Sequence, residues 1–412
     1  MILLNCHTLK HGLRIIHHKD VATQMVAINI LYDVGSKDED PNQTGLAHLF
    51  EHLMFGGSIH IPDYDTPLQN AGGENNAWTN ADMTNYYLTI PAQNVETGFW
   101  LESDRMLSLA FSQKSLDVQK QVVIEEFKQR TLNQPYGDVS ALLSELSYKK
   151  HPYRWTTIGK EISHIENVLL DDVKSFFFSY YAPNNAFLSV TGNIEFDEVI
   201  RLTEKWFAPI PQRSVKPRNL PQEPVQNEAR FLEVERDVPL NSIYKTYKIP
   251  ARTAPDYYTY DILSDVLANG RSARLYRRLV MERNLFSDVN AYLSGDLEPG
   301  LFYVTGKPVS GISLEEADTI LQEELQLLCN EMIPDNEVEK VKNKFESNEL
   351  FNNINYLNKA TNLAFYELIG NAEEINNQVA YYRKVTPEGL MHTAKNVFRP
   401  ENSNTLYYRA KL

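Results

Sequence analysis

Apolar and polar positions along this chain change period in a fixed order, and the order occurs twice. Met25–Val34 is a strand-like apolar run, and Asn241–Ile249 alternates in the same manner. Helical stretches follow each run. A second strand comes next, at Tyr86–Ile90 in the first half and Gly300–Thr305 in the second, with more helices after it. Near the end of each half, Val173, Tyr181, Pro183 and Asn185 recur as Leu390, Phe398, Pro400 and Asn402, every pair offset by 217 residues. Such a repeat reads as a duplicated domain. Between the halves lie Pro209, Pro211, Pro217, Pro221 and Pro224, which cannot continue a helix and predict a linker. The expected organisation is α+β, with two homologous domains, each a mostly antiparallel sheet covered by helices. Their expected limits are residues 1–210, a Pro-rich linker at 211–226, and residues 227–412.

Two predicted helices carry the candidate chemistry. The first opens at Thr44, a plausible N-cap, runs from Gly45 to Phe55 without proline, and stops at the pair Gly56-Gly57. It holds His48, Glu51 and His52. A helix turns about 100° per residue, so the two histidines stand one turn apart on one face with Glu51 beside them. Two imidazoles so placed can chelate one tetrahedral ion, and the carboxylate between them can reach a water in an open position. The second helix is expected over Ser115–Phe127, with Leu116, Val122, Val123 and Phe127 as its apolar stripe. With Val123 set at 0°, Glu126 falls near about −60° and Glu125 near about 200°. Glu126 therefore points inward, where a carboxylate needs a metal or a buried Arg or Lys to offset its desolvation.

With these residues in place the chain resembles the pitrilysin/insulinase family of inverted zinc metallopeptidases, especially its mitochondrial-processing-peptidase-like branch. The family pattern is His-x-x-Glu-His followed several tens of residues later by a further Glu. Here 74 residues separate His52 from Glu126. The resemblance implies that His48, His52 and Glu126 hold Zn²⁺ and that Glu51 is the catalytic acid–base. A second matching stretch is Gly72–Thr79 followed by Asn85-Tyr86-Tyr87, and a third is Tyr181-Ala-Pro-Asn-Asn with Gly192-Asn after a strand. In the family the Gly72–Thr79 stretch is an edge strand that pairs with the substrate backbone, which puts Asn76 and Ala77 nearest the scissile bond. The implied activity is endopeptidase cleavage of peptides or small unfolded polypeptides in an enclosed chamber.

Two positions depart from the family pattern. Gln119 stands where many relatives have a Glu seven residues before the metal-binding one. In the second half Val280 and Ser287 occupy the places of an Arg and a Tyr that grip the substrate carbonyl, although a shifted frame would recruit Arg278 or Arg283. The resemblance then implies a hetero- or homodimer with a homologous subunit, the heterodimer placing the gripping Arg and Tyr on a metal-free partner. The alternative is a non-catalytic scaffold subunit of the same fold. The second-half counterpart of the metal helix, Ile262–Gly270, keeps the helical pattern without His-x-x-Glu-His.

Composition narrows the partners. Lys+Arg 40 against Asp+Glu 54 leaves a net charge of −14, which argues against nucleic acid and against anionic membrane surfaces and would favour basic peptides. No run approaches the ~18 apolar residues of a membrane span. Cys6 and Cys329 lie far apart, which suggests free thiols in a reducing compartment. Met1–Cys6 leads straight into a hairpin with no charged and apolar leader pattern, so the cytoplasm is expected. His7, His11, His17 and His18 fall in that hairpin; adjacent residues on a strand face opposite ways, and all four are expected at the surface. Arg271, Arg274, Arg277 and Arg278 read as a helix face at an interface, and Phe176–Tyr181 as core packing.

Overall fold

The computed structural model describes residues 1–411, and they divide into two compact units. The first unit comprises residues 1–129, 155–221 and 350–377; the second comprises 130–154, 222–349 and 378–411. The fold is α+β. In the first unit, β1 (Asn5–Thr8), β2 (Arg14–Lys19), β3 (Met25–Tyr32), β4 (Glu74–Thr79), β5 (Thr84–Pro91) and β6 (Ala186–Gly192) form one sheet in the order β1-β2-β6-β3-β5-β4. Every neighbouring pair is antiparallel except β2–β6. In the second unit, β7 (Arg230–Arg236), β8 (Ser242–Lys248), β9 (Phe286–Leu293), β10 (Leu301–Pro308) and β11 (Ser403–Ala410) order as β7-β11-β8-β10-β9, with β7–β11 the parallel pair. Each sheet thus repeats one five-strand plan, and β1 is an addition on the first.

The plan follows from local sequence. Along β3, Val26, Ile28, Ile30 and Tyr32 alternate into the first core, where they meet Leu49, Phe50 and Phe99. The opposite face carries Ala27, Asn29 and Leu31 and is buried as well, because the helix Tyr356–Leu368 lies against β3 and β6. Asn29 survives there by exchanging hydrogen bonds with Asn85 (2.8 and 2.9 Å) and accepting one from Thr361 (3.2 Å). The aromatic cluster packs as expected: Phe176, Phe177, Tyr180 and Tyr181 are buried, and only Phe178 faces solvent.

The 217-residue repeat marks the same corner in both units. Helices Leu170–Tyr180 and Pro387–Val397 each end in a single turn begun by proline, at Pro183–Asn185 and Pro400–Asn402, and each turn feeds the strand beside β3 or β8. The asparagines do one job. Asn185 Nδ2 donates to Tyr180 O (2.9 Å) and Asp33 O (3.1 Å); Asn402 Nδ2 donates to Val397 O (2.9 Å) and Lys248 O (3.1 Å). Each side chain ties a helix end to the end of a central strand. Asn185→Ala and Asn402→Ala each strand two carbonyls and lower stability by about 1–3 kcal/mol, readable as a fall in denaturant midpoint. An unchanged midpoint for both variants rules out this role.

Residues 211–228 form no helix or strand. At the end of that stretch Glu223 accepts backbone N–H bonds from Lys149, Lys150 and His151 (2.8–3.0 Å) and pairs with Lys248 (3.0 Å). Those donors outweigh burial and hold its carboxyl at about 2.

Two of the four histidines expected at the surface are buried. His17 is buried, its Nε2–H donating to Ile194 O (3.0 Å) and its ring stacking on Phe196, because the helix Phe196–Trp206, far later in sequence, packs against β2. Its desolvation lowers its pKa. His11 is buried too, against Phe207 O (2.9 Å), whereas His7 is exposed and His18 half-buried. In the basic cluster Arg274 pairs with Glu337 (2.9 Å) and Arg278 with the buried Glu324 (3.1 Å), along a stretch that winds as a π-helix at Tyr276–Glu282, while Arg271 and Arg277 are exposed. Among the described residues no helix is long and apolar enough to cross a membrane. Cys6 and Cys329 are free thiols.

Candidate metal centre

His48, Glu51 and His52 stand on the helix Leu46–Leu53, whose inner face buries Leu46, Leu49, Phe50 and Leu53 in the first core. The i, i+4 spacing puts the two imidazoles side by side, ring centroids 4.9 Å apart and planes at 87°. Glu126 comes from the helix Gln113–Phe127, which is started by the Ser112 side chain and seated by Leu116, Val123, Ile124 and Phe127. Glu126 is half-buried and Glu125 exposed, the two faces that the helical angles predict. Val122, expected in the apolar stripe, is 43% exposed; Ile124 is buried instead. The helix tilts its seam toward Val123 and Ile124, which pack against the metal-bearing helix and its surroundings.

The three side chains converge. Glu126 Oε2 stands 3.6 Å from His48 Nε2 and 3.4 Å from His52 Nε2, and all three donor atoms lie within 4.8 Å of one another. Those separations exceed a hydrogen bond. They match the edge of a tetrahedron with bonds of about 2.0–2.2 Å, whose corners are about 3.3–3.6 Å apart. Two imidazole nitrogens and one carboxylate oxygen are also the donor types that zinc accepts. The group fits. Among the described residues this is the one cluster of His, Cys, Asp or Glu with such a geometry.

The helix does not start as expected. Thr44 is buried, and its hydroxyl is taken by His164 Nδ1 (2.9 Å) and Lys160 N–H (2.8 Å), so it caps nothing. The capping oxygens belong to Glu39, which accepts from Gly45 N–H (2.9 Å) and Ala47 N–H (2.8 Å). Burial pushes the Glu39 carboxyl up to about 8 against the pull of those donors. Arg105 was equally hidden from sequence reasoning. It is fully buried, bonded to Glu102 (2.8 and 2.5 Å), and faced by the rings of Phe55, Tyr64 and Tyr86 at 5.3, 4.7 and 4.5 Å. That cluster braces the chain leaving the helix Leu46–Leu53. An Arg in mid-helix gives no sequence signal of such a place.

Asn76 and Ala77 lie on β4, the edge strand of the first sheet, which runs alongside the helix Leu46–Leu53. Asn76 is exposed and Ala77 half-buried. Ala77 N–H donates to Asn76 Oδ1 (2.8 Å), so this amide faces the open side of the strand rather than β5. In the second unit Val280 packs against the core there, and Ser287 on β9 donates to Lys307 O (3.1 Å) on β10. Arg278 and Arg283 both face Glu324 (3.1 and 3.6 Å).

Residues 14–161 match the sequence model described as insulinase (peptidase family M16), and residues 167–345 match the model of the M16 peptidase inactive domain. The chain is 29% identical over 412 residues to the zinc protease PqqE of Helicobacter pylori, covering 98% of this chain and 92% of that one. It is 24% identical to the uncharacterized zinc protease YmxG of Bacillus subtilis, over 84% of this chain and 83% of that one. A crystal structure of a protease from Helicobacter pylori superposes with a TM-score of 0.92 at 27% identity, covering 99% and 100% of the two chains. The chain belongs to the insulinase, or M16, family of peptidases.

Proposed function

We propose that this chain is a zinc-dependent endopeptidase subunit in which His48, His52 and Glu126 hold the ion and Glu51 moves the proton. The observation that carries the reading is the convergence of three donor atoms from two helices, all within 4.8 Å, with Glu126 Oε2 at 3.6 and 3.4 Å from the two imidazole nitrogens. Three protein ligands are the complement of a catalytic site, four of a structural one. Zinc, when bound, supplies Lewis acidity that lowers the pKa of water toward ~7 and polarises a carbonyl. Glu51, half-buried beside His52, takes a proton on its carboxylate and returns it to the nitrogen of the leaving amine. Asn76 and Ala77 align the peptide by adding it to β4 as a further strand, a mode that reads backbone and selects weakly among side chains. The names of the relatives support zinc and peptide hydrolysis.

Val280 and Ser287 support pairing with a metal-free homologue that brings an Arg and a Tyr. Arg278 and Arg283 are engaged with Glu324, which weighs against their serving instead. The rival reading, a scaffold subunit, draws on the match of residues 167–345 to the inactive-domain model. The intact donor set in the first half favours catalysis. Purified alone, the chain binds one zinc and cleaves a quenched fluorescent peptide slowly. A gripping donor at the carbonyl is worth ~10²–10³ in rate, so adding the homologous partner raises turnover by that order. A chelator abolishes the activity and zinc restores it. Brisk turnover by the homogeneous chain disproves the pairing, and none with either preparation disproves the peptidase.

A further inference from the structure

The N–H groups at the start of the helix Leu46–Leu53 are satisfied from outside it. Glu39 is 7% exposed, and its two carboxylate oxygens take Gly45 N–H (2.9 Å), Ala47 N–H (2.8 Å) and Trp155 Nε1–H (3.1 Å). Gly45 has φ +88°, and a Cβ there would stand 2.8 Å from Ile158 O and 2.7 Å from Ile165 Cδ1. The residue before the helix is therefore seated directly on segment 158–165. Thr44, bonded to Lys160 and His164, fastens the same turn to the same segment. Ala47 is the residue immediately before His48.

We propose that Glu39 is a positioning residue for the metal, fixing where the first helical turn begins and hence the direction in which His48 and His52 present their Nε2 atoms. The proposal rests on the reading that these histidines and Glu126 hold the ion. A buried carboxylate with three donors and two acceptor oxygens has one geometry that satisfies it, so it sets register as well as stability. Its loss frees the first turn to shift, and a shift of one residue swings a side chain by about 100°. Helix capping by a more distant residue is otherwise worth only stability. Here the first ligand sits one residue beyond the capped amide.

The test is zinc affinity, measured on folded, monodisperse protein by competition with a chromophoric chelator. Glu39→Ala weakens binding ~10–100-fold, the usual effect of removing a group that orients a ligand. Glu39→Gln keeps one acceptor oxygen and falls between, and Trp155→Phe removes one donor and shifts affinity less in the same direction. Asp20→Asn breaks the buried pair with Lys359 in the same unit and serves as the control. It lowers the melting temperature and leaves zinc affinity at the wild-type value. If Glu39→Ala does not fold, Glu39→Gln decides by the same rule. Wild-type affinity in the Glu39 variants overturns the proposal, and so does an equal loss in Asp20→Asn. If wild type binds no zinc, or His52→Ala binds it as tightly as wild type, the metal reading falls and takes this proposal with it.

Discussion

Glu51→Gln binds as much zinc as wild type and turns peptides over ~10²–10⁴-fold more slowly, the span expected when a general acid–base is lost. Gln has the size of Glu and leaves His48, His52 and Glu126 in place, so metal content separates chemistry from architecture. The amide cannot take a proton from water or return one to the leaving amine. The loss falls on kcat with little change in KM, because the substitution leaves β4, the proposed holder of the peptide, untouched. Metal analysis alongside a fluorogenic peptide assay reads both quantities from one preparation. Wild-type turnover in this variant removes Glu51 from the mechanism and leaves the metal site standing.

His52→Ala and Glu126→Gln lose tight zinc binding, and the loss shows as a missing thermal shift. A ligand that binds only the folded state stabilises it by about 2.7 kcal/mol at a hundredfold excess over Kd. Wild type therefore melts higher with zinc than with chelator, and both variants melt at one temperature in either condition. A zinc-dependent shift in either variant equal to that of wild type removes that residue from the ligand set.

The convergence of His48, His52 and Glu126 was legible because it depends on local geometry. Residues four apart on a helix meet whatever surrounds them, and the angular separation of Glu125 from Glu126 decides which one turns inward. Strands β3, β5, β8 and β10 were legible for the same reason, since alternation is a property of neighbours. What was illegible depends on contacts between residues far apart in the chain. Thr44 has the right side chain for a cap, but Lys160 and His164 claim its hydroxyl, and nothing near Thr44 announces them. Glu39 looks like one more acidic residue in a loop until Trp155 arrives. His17 and His18 do face opposite ways, yet which face is covered depends on the helix Phe196–Trp206. Segments 130–154 and 350–377, which cross between the units, have no compositional mark either.

The duplicated strand order leaves an unpaired border in each unit, β4 in one and β9 in the other, and the two borders differ in hospitality. β9 carries Asp288 and Asn290, joined side chain to side chain, and its register with β10 slips at Lys307/Pro308. Charges and irregularities of that sort discourage a stray chain from docking alongside. From Asn75 to Thr79, β4 has no charged residue and pairs with β5 without a slip. Duplication copied the scaffold, and divergence then shuttered one rim while leaving the other without such a barrier.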